Sequence, residues 1–533
     1  MKNGSKPTTP KPSDCSLQGR KEEDLTGRDR ILSNVLWGWG SYIVVLATGF
    51  IMPRLIDRHI GQLNLGIWDF SWSLVNYLSY SGMGIGSSIN RYVAKYRAQR
   101  DIQMLKGAVS SVFLIQSIIS LLILGGSILI ALLLPVYFSH KLGQSLSEAQ
   151  WVIVLLGASL SIEEASGTFK GIVTGCHRWD IHNGLNTATK IGTFVGMVMV
   201  LLMGTGLKAM AASYLFITTV FAAVRVIVAM RICPEAKISL SQANMLQAKK
   251  MLFFGWKTFA IKIPPLFMAQ TSSVLITATL GPSILAVFSR PLALVRHMEA
   301  LVNRFSFVIT PMASSLKSIG HQQELKEFFY ESCKTGVALT LPIVIIFVFW
   351  GNEILYLWMG ENYTSGYTLP LLAVGFLLPI ALGPAVSVLV GMNRHGQIAI
   401  VALALMLFVF GCGILVCKLS GWSLNRFAIL ITAPLTLGQG LLIPLYTSRL
   451  LKIGYRDFFC RIFCIPFLCN IPMIVVCVMS KISLSSSPFV SLLTGVTVAS
   501  LITGLLYLRY LLPRSYLEKF LNLLPKKHPG PLH

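Results

Sequence analysis

The chain is short of charged residues, and of acidic residues above all. Only 12% of its 533 residues are charged, 21 of them acidic against 45 lysines and arginines, while 54% are hydrophobic. An average soluble protein has about 25% charged residues, and single soluble cores stop growing at about 250–300 residues. The composition therefore excludes a soluble enzyme and a soluble DNA-binding protein, and it predicts an integral membrane protein.

The sequence also lacks the motifs of several functional classes. It contains no GxxxxGK[ST] loop for a nucleotide, and its ten cysteines do not have the paired spacing of a zinc site. No apolar signal core precedes the first long apolar run, and residues 1–32 are typical of a disordered, basic cytoplasmic tail. We expect no metal site, no cofactor and no driving of the protein by its own ATP hydrolysis.

What is present instead is a series of fourteen apolar runs that are long enough to cross a bilayer. Prolines interrupt the seventh run (Pro264, Pro265) and the tenth (Pro379, Pro384), which is common in the broken helices of transporters. The predicted spans are 33–53, 65–87, 108–135, 150–174, 184–206, 209–230, 252–280, 283–308, 335–358, 367–391, 397–417, 424–447, 457–480 and 488–512.

The positions of the lysines and arginines along the chain explain the net charge of +24. About 32 of the 45 lysines and arginines lie in or beside loops on the side of the N-terminus, and seven lie in the opposite loops. This asymmetry predicts that both termini are cytoplasmic and that the basic residues contact anionic lipids, so we expect no nucleic-acid partner. The opposite loops are all short, which leaves the function to the membrane-embedded part.

An internal repeat is visible at a shift of about 220 residues. Gly61 falls on Gly281 and Leu65 on Leu285, and Arg178 falls on Arg394 at a shift of 216. One unit holds six spans, an even number, which predicts two parallel lobes with an axis along the membrane normal. The expected organisation is a tail (1–32), an N-lobe (33–231), a cytoplasmic linker (232–251), a C-lobe (252–448), helices 13 and 14 (449–513) and a second cytoplasmic tail (514–533).

Ionisable residues inside the predicted spans are costly and are typical of functional sites. Those of the second lobe are mostly basic and predict a cationic wall for an anionic, phosphate-bearing headgroup. The wall candidates are Arg290, His297, Lys262, Lys257, Arg296 and Arg304. Arg290, His297 and Arg304 are spaced by seven and share a helix face, whereas Arg296 and Glu299 form a local pair on another face. The alternative is that residues near span ends, such as Lys257 and Arg304, extend to the interface.

The first lobe holds the acidic candidates. Glu163 and Glu164 are candidates for ion coupling, with a plain ion pair to Lys190 as the alternative. Asp69 is a candidate for a partner that closes the two lobes on each other.

Several short motifs resemble those of bacterial polysaccharide and O-antigen flippases, in the multidrug/oligosaccharidyl-lipid/polysaccharide exporter superfamily. They are 34–42 (NVLWGWGSY), 53–56 (PRLI), 65–68 (LGIW), 82–86 (GMGIG) and 90–96 (NRYVAKY). The resemblance implies a V-shaped all-helical transporter that works by alternating access in the cell inner membrane. Its substrate would be an undecaprenyl-diphosphate-linked oligosaccharide for O-antigen, exopolysaccharide or capsule synthesis. Driving by H⁺, Na⁺ or the membrane potential is expected, with a polysaccharide polymerase or chain-length regulator as partner.

Two other functions remain open at this point. A cation-coupled multidrug antiporter of the same superfamily should have a net acidic cavity, whereas the charges inside these spans are mostly basic. A membrane polysaccharide polymerase should have a long external loop, and the predicted loops are short. A flippase, which is not an enzyme, is therefore the favoured interpretation.

Overall fold

The structure of the protein is a computed structural model that describes residues 31–82, 85–239, 241, 264–306, 308–483 and 488–511. All regular structure in these residues is helical. The helices are α1 (Ile31–Ser79), α2 (Ile85–Ala98), α3 (Ile102–Leu142), α4 (Leu146–Ala165), α5 (Gly167–Gly175), α6 (Trp179–Leu202), α7 (Gly206–Ile232), α8 (264–280 within the described residues), α9 (Pro282–Ser306), α10 (Ile309–Ile319), α11 (Gln322–Met359), α12 (Thr368–Ala381), α13 (Gly383–Gly391), α14 (Gly396–Ser420), α15 (Leu424–Leu435), α16 (Ile443–Leu450), α17 (Tyr455–Ser483) and α18 (Pro488–Tyr510).

The first helix crosses the membrane region twice. Its 49 residues would measure about 74 Å if straight, more than twice a hydrocarbon core of about 30 Å. It is broken at Gly61, whose φ of 85° is readily accessible only to glycine. The first predicted span and most of the second therefore lie in α1, on either side of this turn.

The N-lobe is built from α1 to α7. The first helix packs on α4 and α6, α3 packs on α4, and α6 packs on α7. Small residues allow close approach between α3 and α4, where the backbone of Gly157 lies against the Ser127 side chain. The predicted fourth span is divided into α4 and α5, which meet at Ser166.

The C-lobe repeats this plan with α8 to α16. The predicted tenth span is divided into α12 and α13 at Leu382, between Pro379 and Pro384, as its prolines indicate. The predicted twelfth span contains a π-helical segment, Thr436–Leu442, between α15 and α16. Helices α17 and α18 pack on each other and on α11, where Gly495 lies against the Trp350 indole.

The internal repeat is confirmed in the backbone. Three pairs of residues with positive φ recur at nearly constant separation: Gly61 with Gly281, Arg100 with Gly320, and His177 with Asn393. Gly175 and Gly391, at a separation of 216, also approach corresponding helices closely, Gly175 meeting α2 and Gly391 meeting α10. The described part of the chain is therefore all-helical, with two parallel lobes and two further helices, α17 and α18, that follow them.

Ten helical stretches in the described residues are long and apolar enough to cross a membrane. Two of them, Trp37–Ser79 and Ile102–Gly175, each contain two predicted spans, so the ten stretches cover twelve of the fourteen. The seventh predicted span begins outside the described residues. The eighth is α9, whose charged side chains lower its hydropathy. The helices agree with fourteen spans, and the count itself stays a prediction, as do the domain boundaries.

Candidate functional site

The two lobes meet along α1 and α9, a contact that we name the inter-lobe seam. The seam is tightest next to the two glycine turns, at what we call its Gly61 end. There the Gly66 backbone lies so close to Pro282 that a Cβ atom on Gly66 would be 1.9 Å from the Pro282 carbonyl oxygen. Gln62 Nε2 also donates a hydrogen bond of 3.0 Å to the carbonyl oxygen of Ser283.

An ion pair between the lobes lies further along the seam. The guanidinium of Arg290 on α9 donates through Nη2 to the carboxylate of Asp69 on α1. The Arg290 side chain is only 5% exposed and that of Asp69 19%. Ser289 also hydrogen-bonds the Asp69 carboxylate. Asp69 therefore contacts the other lobe through Arg290, and its role in closing the lobes stays a prediction.

The three basic residues of α9 that are spaced by seven lie on the side of the helix that faces α1. His297 stacks on Phe50 with ring centroids 5.0 Å apart, and its carbonyl oxygen accepts a hydrogen bond of 3.4 Å from Tyr42. The Arg304 guanidinium lies 4.7 Å from the centroid of the Tyr42 ring and is exposed. Arg290, His297 and Arg304 therefore line the seam in that order along α9.

Arg296 lies on a different face of the same helix. Its Nη1 pairs with Glu299 Oε2 at 2.5 Å, as the spacing of three predicts, and its guanidinium lies 5.3 Å from the ring centroid of Phe376 on α12. Arg296 thus lies beside α8 and α12 of the C-lobe and near Tyr80 of the N-lobe, and its place in a wall with Arg290 stays a prediction. Lys257 and Lys262, the other two wall candidates, lie outside the described residues.

The acidic candidates of the N-lobe lie at the junction of α4 and α5. Glu163 is exposed, and Glu164 accepts a hydrogen bond from the Gln116 side chain. Lys190 on α6 is exposed and forms no ion pair with described residues. The alternative of a plain ion pair between Lys190 and these glutamates is therefore wrong.

A buried cation next to this junction was missed by the sequence reasoning. Arg225 on α7 is 5% exposed and donates 3.1 Å to Ser166 Oγ and 3.2 Å to Asn186 Oδ1. Asn186 in turn hydrogen-bonds the buried ring of His182 at 3.0 Å. Arg225 falls inside the sixth predicted span, so its position in an apolar run was a signal that could have identified it.

Further contacts at the Gly61 end join α1 to the end of α11. Arg54 Nη1 donates 2.7 Å to the Trp358 carbonyl oxygen, and Trp358 Nε1 donates 2.6 Å to the Phe50 carbonyl oxygen. Tyr363 donates 2.6 Å to Asp57 Oδ1, and burial raises the pKa of Tyr363, so the phenol keeps its proton at any physiological pH. These contacts join the lobes at this end. Arg54 lies in the 53–56 motif, whereas Asp57, Trp358 and Tyr363 lie in no motif found in the sequence.

The seam has the chemistry of an anion site rather than a cation site. The described basic side chains along the seam are Arg290, His297 and Arg304 on α9 and Arg54 at the Gly61 end. The described carboxylates are those of Asp69 and, at the Gly61 end, Asp57. A guanidinium can donate two parallel hydrogen bonds to a phosphate. The arrangement can therefore bind a phosphate group when Asp69 moves away.

Comparisons with known proteins agree on the family and the fold. A family described as "Polysaccharide biosynthesis protein" matches residues 80–367. A putative O-antigen transporter of Shigella flexneri is 21% identical over 351 residues, which are 65% of this chain and 81% of that protein. An uncharacterized membrane protein of Methanocaldococcus jannaschii is 18% identical over 354 residues, which are 64% of this chain and 69% of that protein.

Solved structures of transporters share the fold at low sequence identity. The lipid II flippase MurJ in an inward closed conformation has a TM-score of 0.67 at 12% identity, over 92% of this chain and 100% of MurJ. An inward-facing multidrug resistance MATE family transporter of the MOP superfamily has a TM-score of 0.59 at 13% identity, over 79% of this chain and 94% of that one. The family match covers more than half of the chain, and with it the predicted resemblance is confirmed: this multi-pass membrane protein belongs to the polysaccharide biosynthesis protein family and has the fold of MOP superfamily transporters.

Proposed function

We propose that the protein is a flippase for undecaprenyl-diphosphate-linked oligosaccharides. It moves them from the cytoplasmic to the periplasmic leaflet by alternating access of its two lobes, for assembly of O-antigen, exopolysaccharide or capsule. Arg290 binds the diphosphate, and His297 and Arg304 extend the basic surface toward the far end of the seam. The sugars are recognised by cavity side chains that follow no fixed motif.

The observation that carries this proposal is the buried guanidinium of Arg290 at the contact between the lobes. An arginine at the centre of a membrane helix costs about 2.5–3.5 kcal/mol on insertion scales, so it is kept for a function. An arginine that only stabilised one lobe would be expected to have its partner in that lobe, as Arg296 has. Arg290 instead sits where alternating access opens and closes.

The direction of transport follows from charge. An inside-negative potential drives each negative charge outward by about 2.3 kcal/mol per 100 mV. We propose that H⁺ or Na⁺ at Glu163 and Glu164 supplements this force, with Arg225 as the nearby cation that responds to their charge. We propose further that both termini lie in the cytoplasm, that the protein lies in the inner membrane, and that a polymerase or chain-length regulator receives the flipped lipid.

A cation-coupled multidrug antiporter is the competing function, since MATE transporters share the fold. An organic cation would require acidic groups in the cavity, and the seam has a basic excess. A membrane polymerase is the competitor from another class, although one relative is described as a putative O-antigen transporter and MurJ as a lipid II flippase.

The deciding experiment is deletion of the gene in its host, followed by mass spectrometry of lipid-linked oligosaccharides and measurement of surface polysaccharide. We expect undecaprenyl-diphosphate repeat units to accumulate and the surface polymer to be lost. The accumulated units should be inaccessible to reagents added from the periplasm, whereas a polymerase defect would leave them accessible. Unchanged lipid-linked units and polymer would contradict the flippase and favour the antiporter.

A further inference from the structure

Arg290 uses only part of its hydrogen-bonding capacity. Nη2 donates to Asp69, whereas Nε is buried and has no acceptor among the described residues. A buried donor without an acceptor is costly, and a guanidinium reaches its strongest geometry when Nε or Nη1 joins Nη2 in a two-bond fork. The Asp69 carboxylate therefore binds Arg290 through Nη2 but leaves the buried Nε donor without an acceptor among the described residues.

A diphosphate can satisfy this guanidinium better than the carboxylate can. It has more negative charge than Asp69, and its several oxygens can accept from Nε and Nη2 at once. A monophosphate carries less charge to offset the separation of Asp69 from Arg290, and a neutral prenol carries none. Competition with a resident carboxylate thus discriminates among polyprenyl lipids by headgroup charge.

The same competition affects the closure of the lobes. Arg290 and Asp69 are joined across the seam, while the other contacts at the Gly61 end are hydrogen bonds such as those of Gln62 to Ser283 and of Tyr363 to Asp57. Once Arg290 has turned to a phosphate, the Asp69 carboxylate keeps a hydrogen bond only to the Ser289 side chain among the described residues. A ligand that binds the separated state better shifts the population toward it.

We propose that Asp69 is a specificity-determining residue that competes with the substrate for Arg290, and that its displacement by a diphosphate opens the Gly61 end of the seam. The inference rests on the proposed function, because it takes a polyprenyl diphosphate as the ligand. Asp69 thereby excludes lipids whose headgroup carries too little negative charge to displace a carboxylate from Arg290. It also links binding of a diphosphate headgroup to opening of the lobes.

The test uses a cross-linking reporter in the full chain in proteoliposomes. Gln62→Cys and Ser283→Cys place two thiols across the seam, and the yield of the cross-linked peptide is measured by mass spectrometry, which separates it from the native cysteines. The probes are undecaprenyl diphosphate, undecaprenyl phosphate and undecaprenol, and their binding is measured separately with radiolabelled lipid. We expect undecaprenyl diphosphate to lower the yield about threefold or more and the other two lipids to leave it unchanged.

Variants of Asp69 separate competition from a structural role. In Asp69→Asn the yield should be low without ligand, and binding of both the diphosphate and the monophosphate lipid should become tighter, by about tenfold or more for the monophosphate. Asp69→Glu should restore discrimination. A residue that only stabilised the fold would weaken binding when changed.

Lys141→Gln is the matched control. Lys141 also joins the lobes, through a 2.8 Å hydrogen bond from Nζ to the Thr279 carbonyl oxygen, but it is exposed and forms no ion pair with a carboxylate of the described residues. Its loss should leave the response to the diphosphate intact.

The outcomes distinguish this inference from the proposed function. Binding of undecaprenyl diphosphate with no change in the cross-link, or weaker binding in Asp69→Asn, would overturn the competition and leave the flippase in place. Failure of the wild-type protein to bind the diphosphate lipid at all would overturn both.

Discussion

At the scale of single residues, identical side chains on one helix have different surroundings. Arg290 and Arg296 are both on α9, but one is buried against Asp69 of the other lobe and the other pairs with Glu299 on its own helix. The spacing of charges along the sequence predicts which residues share a face. It does not predict which face meets which helix, because that depends on contacts between residues more than 200 positions apart.

These surroundings predict unequal effects of mutation. Arg290→Ala should abolish surface polysaccharide at unchanged protein level, because no other described guanidinium reaches Asp69 or its place in the seam. Arg290→Lys should retain a part of the activity, since an ammonium keeps the charge but cannot form the two-bond fork. Arg296→Ala should lower the amount of surface polysaccharide less than Arg290→Ala does. A normal amount of polysaccharide in Arg290→Ala would contradict the role assigned to Arg290. Immunoblots of membranes check that each variant is present in the same amount as the wild-type protein.

The glutamates at the junction of α4 and α5 predict an ion dependence. Glu163→Gln combined with Glu164→Gln should remove the response of transport to a proton or sodium gradient, while transport driven by the membrane potential persists. Lys190→Gln serves as the control, because Lys190 forms no ion pair with these glutamates in the described residues. Transport by the double variant that still responds fully to the gradient would show that coupling occurs elsewhere.

At the scale of helices, the sequence predicts where apolar runs lie better than where they break. Prolines indicate the division between α12 and α13, but the division between α4 and α5 at Ser166 has no proline. At this break Ser166 Oγ donates 2.8 Å to the Glu163 carbonyl oxygen and accepts a hydrogen bond from Arg225 on α7. Such breaks depend on tertiary partners, so a pattern of hydropathy cannot locate them.

The close contact of α1 with α9 predicts what happens when one methyl group is added to the backbone at Gly66. Gly66→Ala should separate the helices at the Gly61 end, because the new Cβ atom would meet the Pro282 carbonyl oxygen, a backbone group that cannot rotate away. In the background of Gln62→Cys and Ser283→Cys, we expect a lower yield of the cross-link across the seam, together with impaired transport. The matched control is Gly125→Ala on α3, where a Cβ atom would meet nothing within 4 Å. Equal yields in the two variants would show that the seam is not packed this tightly.

At the scale of the whole molecule, the repeat was the most informative feature of the sequence. A shift of about 220 residues predicted two parallel lobes, and the turns at Gly61 and Gly281 recur at this separation in the structure. The contact between α1 and α9 across the axis that relates the two lobes follows from that symmetry. The contacts of Arg54, Asp57 and Tyr363 have a counterpart in the contact of Lys141 with Thr279 at a shift of about 220 residues, although different side chains form it.

The distribution of basic residues predicts the orientation of the whole chain. Reporters fused in the loop at 203–205 should report an external position, and reporters fused at 233–239 should report a cytoplasmic one. The reason is that loops rich in lysine and arginine stay in the cytoplasm. Alkaline phosphatase and green fluorescent protein fusions measure the two cases. Phosphatase activity at 233–239 would reverse the proposed topology and with it the direction of transport.

Asp69 and Arg290 occupy nearly corresponding places in the two halves, eight and nine residues after Gly61 and Gly281. Repeated halves of this kind arise by duplication and fusion of a gene. Because the two places differ by one residue, identical halves could carry both residues, and a two-fold axis would then form the ion pair twice. In this chain the place of the second arginine holds Phe70 and the place of the second aspartate holds Ser289, so the pair is formed once. The charge contact between the lobes is therefore asymmetric within a fold that is nearly symmetric.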